Sequence, residues 1–279
     1  MDRGKLVERV LFLLALSSIS SLVIITIFIF MEGLPLIFHT GLKDFIFSSH
    51  WAPTKGYFGI AAMIISSIFV TIGAMVLGVP LGLACAIILA EFCSERLRRL
   101  LKPTLELLAG IPSVVYGFLG VVWLVPLIRN YLGGPGLSLL AAAVILGIMI
   151  LPTVISISID ALTAVPDVYR DGSIALGATQ WQTVHRVVLP AASSGIITAV
   201  ILGMGRAVGE TMAVIMVAGN ALMIPTSILD PVRTLTSNIA LELGYASGRH
   251  REALFATGIV LFIIIMILNL SATFITRRR

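Results

Sequence analysis

Long apolar runs alternate with short polar stretches along this chain. The runs fall near residues 10–31, 58–90, 103–128, 137–159, 191–219 and 253–276. A helix crosses the hydrocarbon of a bilayer in about 20 residues, and in that medium only helices or closed barrels satisfy every backbone group. Strands of alternating polarity are absent. The pattern therefore predicts an all-α, polytopic membrane protein with six spans.

Some runs carry interruptions. The second is longer than one straight crossing needs and contains Gly78-Val79-Pro80, which predicts a bend or a helix that runs beyond the hydrocarbon. The third contains Gly110-Ile111-Pro112-Ser113. Proline removes a backbone donor and frees a carbonyl, so this break either kinks the helix or lines a cavity onto which Ser113 and Tyr116 open. Within the same run, Glu106 is expected to pair with Lys102 on one helix face.

Composition agrees with a bilayer protein. Of 279 residues 58% are hydrophobic and 12% charged, and the mean hydropathy is +1.07. The net charge of +5 resolves into a topological asymmetry. If the termini share a side, twelve basic residues lie there, including Arg3, Arg96, Arg98, Arg170, Arg186 and Arg277–Arg279, against six opposite. Basic residues stay in cytoplasmic loops, so both termini are expected in the cytoplasm, with membrane lipid around the spans. No nucleic-acid partner is needed to explain the charge. The first run has no small-residue cleavage pattern after it and reads as a retained anchor. Trp51 and Trp123 near the ends of their segments read as interfacial anchors. The loop 220–252 is long enough to meet a solute-binding protein and otherwise reads as a solvated face.

No catalytic residues, cofactor or metal site emerge. The phosphate-cradling G-x4-G-K-[ST] and the metal-binding H-E-x-x-H are missing, and His39, His50, His185 and His250 are scattered over different loops. Cys85 and Cys93 read as core residues. Nucleotide energy, if used, must come from another chain.

The fifth run carries the most unusual chemistry. GMGRAVGETMAV at 203–214 places Arg206 and Glu210 four residues apart, a spacing that puts both on one face of a helix. A charge at mid-bilayer costs about 2.5–3.5 kcal/mol, so both must face protein or water. Either they neutralise each other and fix packing, or Arg206 offers its donor fork to a passing anion with Glu210 as its gatekeeping partner. Gly203, Gly205 and Gly209 around them can admit a neighbouring helix or leave room for an anion.

The loop ALTAVPDVYRDGSIALGATQWQTVHRVVLPAA, 161–192, is longer than neighbouring spans require. Val165-Pro166-Asp167 predicts a helix start and Gly177 a stop, with a second short helix running to Leu189-Pro190. The segment forms a compact knob. Trp181 either holds it to the spans or packs on a partner.

The loop fits D-G-S-x3-G-x9-V-x-L-P from Asp171 through Gly177 to Pro190. This resembles the EAA loop of ATP-binding-cassette importer permeases, with Asp-Gly-Ser standing where that pattern has Glu-Ala-Ala and Val187 where it has Ile. LLAGIPSVVYGFLG at 107–120, GRAVGETMAV at 205–214 and the stretch 230–258 are similar to phosphate-specific permeases of the PstC type. The likeness covers the chain from about residue 55 and implies a type I importer permease fold. It also implies residues 1–57 as tail, first span and outer loop, followed by a core of five spans over 58–279 with its coupling loop at 161–190. The function implied is a membrane subunit of an ATP-driven phosphate importer, working by alternating access with a second, PstA-type permease, an ATPase dimer and an extracytoplasmic phosphate-binding protein. Arg206, Glu210 and Ser113 would line the phosphate path; Asp167, Arg170, Asp171, Gly172, Ser173 and Gly177 would couple to the ATPase. A secondary anion carrier or channel, and a permease for sulfate or molybdate, are the alternatives.

Overall fold

The computed structural model describes residues 3–277; Arg278 and Arg279, which entered the orientation argument, lie outside them. The chain folds into α1 Arg3–Thr40, α2 Leu42–Phe47, a two-strand hairpin of β1 Trp51–Ala52 and β2 Tyr57–Phe58, and α3 Ala61–Ile87. Next come α4 Glu95–Ala109, α5 Ser113–Leu119, α6 Val125–Tyr131 and α7 Leu139–Thr163. The remainder is α8 Asp167–Ala175, α9 Gln180–Thr183, α10 Leu189–Ala191, α11 Ser193–Gly209, α12 Met212–Val217, α13 Leu235–Glu242 and α14 Arg249–Arg277. Among the described residues five helical stretches are long and apolar enough to cross a membrane. A sixth span arises if Ser193–Gly209 is joined to Gln180–Ala191 across a 71° bend, matching the six predicted.

The long second run is one helix through Pro80, and its surplus is taken up at the knob end by a wide turn over Ile88–Phe92. The third run differs from expectation. Its first part, α4, is a separate amphipathic helix with no buried residue, and the spanning helix starts only at Ser113. Pro112 supplies no amide hydrogen, and the chain stops at Ala109 and restarts three residues beyond Gly110. The expected Lys102–Glu106 pair is not made; Lys102 reaches across to Asp160 on α7 instead.

The centre of the bundle is α7, most of which is buried, packed along α3. Without a hydrophobic driving force between helices in lipid, close backbone approach has to supply the attraction. Gly78 provides it: a Cβ there would sit 2.6 Å from Ile150 Cγ1 and 2.7 Å from the carbonyl oxygen of Gly147. On the outside, α11 packs on both helices, α14 on α11, and α1 on α14 through Phe28 against Phe255 at 5.5 Å. Before that crossing α1 is exposed at residues such as Leu11, Phe12 and Ile24.

Far from the knob, Leu36, Phe45 and Trp51 share a buried cluster with Phe58, Ile60, Met63, Leu235 and Leu254. Trp51 is therefore no lipid-facing anchor. It is 7% exposed and its Nε1 donates to Glu242 Oε2 at 2.9 Å. Glu242 also receives Arg233 Nη1 at 2.7 Å and lies 2.7 Å from His250 Nε2. A buried carboxylate is tolerated only when it is paired in this way; within the 220–252 loop the part around α13 and Glu242 is packed, while residues such as Met223, Ile228 and Tyr245 stay exposed. Trp123, by contrast, is 73% exposed, as an interfacial ring should be.

Gly78→Leu is expected to force α3 off α7 and to lower stability by about 1–3 kcal/mol, read as a fall in the detergent melting temperature. Gly205→Ala, where a Cβ would meet nothing within 4 Å, should leave it unchanged.

Candidate functional site

Arg206 lies in the last turn of α11. That helix ends at Gly209, and Glu210 has an extended backbone at φ −69° and ψ 133°. The two charges thus do not share a continuous helix face, and their expected direct pairing is not made. The Glu210 carboxylate turns the other way, with Oε1 accepting from the Ala213 amide at 3.2 Å at the start of α12.

The guanidinium of Arg206 instead meets two neutral acceptors. Nη1 donates to Thr153 Oγ1 on α7 at 3.5 Å, and Nη2 donates to the Ala109 carbonyl at 3.3 Å. Both are at the long limit of hydrogen bonding. Among the described residues no carboxylate lies within ion-pair distance of it. A guanidinium has five N–H donors in a planar fork, so this half-buried cation holds spare donors and lacks a countercharge.

The break in the third run shapes this place. In a continuous helix the Ala109 carbonyl would be closed by the amide of Ser113. Here it is free to receive Arg206, while the preceding carbonyl, Leu108, accepts the Tyr116 hydroxyl at 2.9 Å. Ser113 opens α5 at this break and is half-buried. Of the three glycines, Gly203 packs on α7, its absent Cβ falling 3.0 Å from Val154 Cγ2. Gly205 and Gly209 face open space, which leaves room near the guanidinium. Behind Glu210 is a polar cavity of about 10 Å³ lined by Ser67, Thr71, Thr234 and Thr236. At that size it has room for about one water and none for an oxyanion, so an anion could be met only on the open side.

The knob follows its sequence signals closely. Pro166 precedes α8, and α8 stops at Gly177 with φ +86°. The amide of Gly177 bonds the Ile174 carbonyl at 2.9 Å and that of Ala178 bonds the Ser173 carbonyl at 3.2 Å, a Schellman closure that only glycine enters without strain. Thr179 then caps α9, with its side chain and that of Gln182 exchanging bonds to the backbone. Ser173 Oγ lies 2.9 Å from Thr183 Oγ1 and ties the two short helices together.

The predicted coupling residues divide into two sets. Asp167, Asp171, Gly172 and Gly177 are exposed, whereas Arg170 and Ser173 turn inward. Near the exposed set are Val168, Tyr169 and Leu176, at 79%, 58% and 91% exposure, which with Gly172 and Ser173 line a cleft of about 420 Å³. Sequence reasoning passed over these apolar residues, although Val168, Tyr169 and Leu176 have no counterpart face within a helix this short. It also passed over Glu91, whose carboxylate receives Arg170; the one signal was an acid ending a long apolar run. Trp181 lies beside Phe92 with ring centroids 6.3 Å apart, which favours the reading that it holds the knob to the spans. The Arg170 guanidinium is held even more firmly charged than usual, first by its hydrogen bond to Glu91 and against the opposing effect of burial.

Comparison with known proteins gives concordant results. Residues 78–279 match the family described as binding-protein-dependent transport system inner membrane component. The chain is 42% identical over 272 residues to the probable ABC transporter permease protein YqgH of Bacillus subtilis, covering 95% of this chain and 88% of that one. It is 37% identical over 256 residues to the phosphate transport system permease protein PstC of Mesorhizobium japonicum, covering 84% and 78%. Its fold is similar, at a TM-score of 0.64 and 17% identity over 99% of each chain, to that in a crystal structure of a bacterial ABC transporter involved in import of the polysaccharide alginate.

Gly177→Ala should strain the end of α8 by about 1–2 kcal/mol. The expected result is faster amide hydrogen exchange across 171–183 with unchanged exchange in α7.

Proposed function

Because the chain belongs to the family of binding-protein-dependent transport system inner membrane components, we propose that it is the non-catalytic permease subunit of an ATP-driven phosphate importer. The observation that carries this reading is Arg206: a cation within a spanning bundle, held by two long bonds to neutral oxygens, with spare donors and, among the described residues, no carboxylate in ion-pair distance. Phosphate oxygens suit a planar donor fork, and an arginine stays charged at any working pH. The relatives named as phosphate transport system permeases support phosphate over other oxyanions.

In this reading Arg206 contacts the anion on the open side next to Gly205 and Gly209, and Ser113 adds a hydroxyl at the adjoining break. Glu210 orders the start of α12 and supplies a negative charge that keeps the anion from being held too tightly. The exposed face of Asp167, Val168, Tyr169, Asp171, Gly172 and Leu176 docks an ATPase in the cytoplasm, on the side where the basic loops collect. A second permease of PstA type completes the path, and an extracytoplasmic phosphate-binding protein delivers to the opposite end. ATP binding closes the ATPase pair and turns the bundle outward; hydrolysis resets it. An exposed apolar knob of this kind has no use in a secondary carrier or channel, which sets that alternative aside.

Two measurements test this. With membrane levels matched, Arg206→Ala should abolish labelled phosphate uptake, Arg206→Lys should retain part of it, and excess sulfate should not compete in wild type; wild-type uptake by Arg206→Ala would sink the assignment. A Cβ at Gly172 meets nothing within 4 Å, so Gly172→Trp should keep the melting temperature but lose the copurifying ATPase. Retention of the ATPase would remove this face from the coupling surface.

A further inference from the structure

Arg170 is the most completely satisfied side chain of the knob. Nε and Nη2 clasp the two oxygens of Glu91 at 3.2 and 2.7 Å, and Nη2 also donates to the Leu162 carbonyl at 2.9 Å. Nη1 donates to the Val165 carbonyl at 2.6 Å and to Asp167 Oδ1 at 3.2 Å. All five donors of the guanidinium are used. The Glu91 carboxylate is 7% exposed and Arg170 is 19% exposed, so the clasp is shielded from solvent and loses little to screening.

The second half of the knob meets the same place. Gln180 Nε2 donates to the Glu91 backbone carbonyl at 2.8 Å, and Trp181 packs beside Phe92. Both knob helices are thereby fastened to one wide turn, Ile88–Phe92, at the end of α3. The chain itself joins the knob to α7 and to α11; the fastening to α3 has no covalent counterpart. From that turn α3 runs as one helix to Ala61. Ser67 and Thr71 in its other half line the cavity behind Glu210, and Ser67 Oγ accepts the Leu235 amide at 2.9 Å at the start of α13.

We propose that Glu91 and Arg170 are positioning residues that form the joint through which the docked knob drives α3, so that movement of the ATPase reaches the Glu210 region along this helix. The inference rests on the importer reading above and adds the element that carries its motion. A guanidinium that spends two donors on the turn ending α3, two on carbonyls at and just beyond the end of α7, and one on its own helix forces these pieces to move as one body. A neutral amide at 91 cannot hold that fork, and a lysine at 170 has three donors from a single nitrogen.

The test uses the complete transporter, with its partner subunits, reconstituted in lipid vesicles. Phosphate uptake and ATP hydrolysis are measured together for wild type, Glu91→Gln and Arg170→Lys, and only assembled complexes that retain the ATPase are compared. The expected result is hydrolysis that continues while uptake per ATP falls about tenfold. Spin labels at Ile174 on the knob, outside the docking face, and Leu81 on α3, both exposed, should report one fixed distance through the ATP cycle in wild type and a broadened one in either variant. An unchanged ratio of uptake to hydrolysis, or an equal fall in both, overturns the joint, because the clasp would then serve stability alone. Should wild type itself show no ATP-driven phosphate uptake, the importer reading fails first, and that result is read from wild type without reference to Glu91. If Glu91→Gln does not assemble, Arg170→Lys, which keeps the charge, decides the outcome.

Discussion

A helix broken inside a bilayer must find new partners for the backbone groups it frees, because lipid offers none. This constraint organises the interior of the bundle. At the break before α5 the Ala109 carbonyl is met by Arg206 and the Leu108 carbonyl by Tyr116. At the break between α11 and α12 the Glu210 carbonyl accepts a hydrogen bond from Thr236 Oγ1 at 3.0 Å, and the Ala213 amide in the first turn of α12 donates to the Glu210 side chain. The polar side chains of the candidate path are thus the same groups that make the breaks tolerable. Chemistry and backbone satisfaction are supplied together, so neither break can be straightened without stranding a charge.

Two arginines show how surroundings decide what a guanidinium does. Arg170 uses every donor on fixed protein oxygens, one of its partners being a buried carboxylate. Removing one member of such a pair typically costs about 3–5 kcal/mol, because the other stays buried and uncompensated. Arg206 has two long bonds to neutral oxygens and an open flank. The first is immobilised by its partners; in the proposed reading it passes on position, and the second offers its donors to a ligand. Residue type alone would have made them equivalent.

The parts legible in the sequence were those with local causes. Hydropathy placed the apolar runs, apart from the start of the third, which belongs to the separate helix α4, and Gly177 stopped α8 because its left-handed backbone is a local requirement. The readings that did not survive were also local, but a distant group outbid them. Glu106 lost Lys102 to Asp160, 58 residues away. The interfacial reading of Trp51 gave way to Glu242, 191 residues away. Arg206 and Glu210 were assigned to one helix face because four residues usually span one turn; the helix stops at Gly209 before the turn is complete. Glu91 left almost no trace, since an acid at the end of an apolar run is what any membrane boundary looks like. Its meaning comes only from Arg170, 79 residues on.

The placement of Arg206 also bears on how a transport cycle could change its affinity. A ligand can bias two conformations only through contacts that differ between them. A cation fixed within one rigid element would present the same donors in both. Arg206 is carried by α11, leans on Thr153 of α7 and closes the end of α4 at Ala109. Because α3 and α7 are locked by backbone contact at Gly78 and Gly147, a displacement delivered to α3 cannot be absorbed between that pair. It is passed to the helices the pair touches, among them α4 and α11, whose junction Arg206 occupies. Under the proposed importer reading, the guanidinium would then sit where small rigid-body shifts change the number of neutral oxygens competing with an anion for its donors.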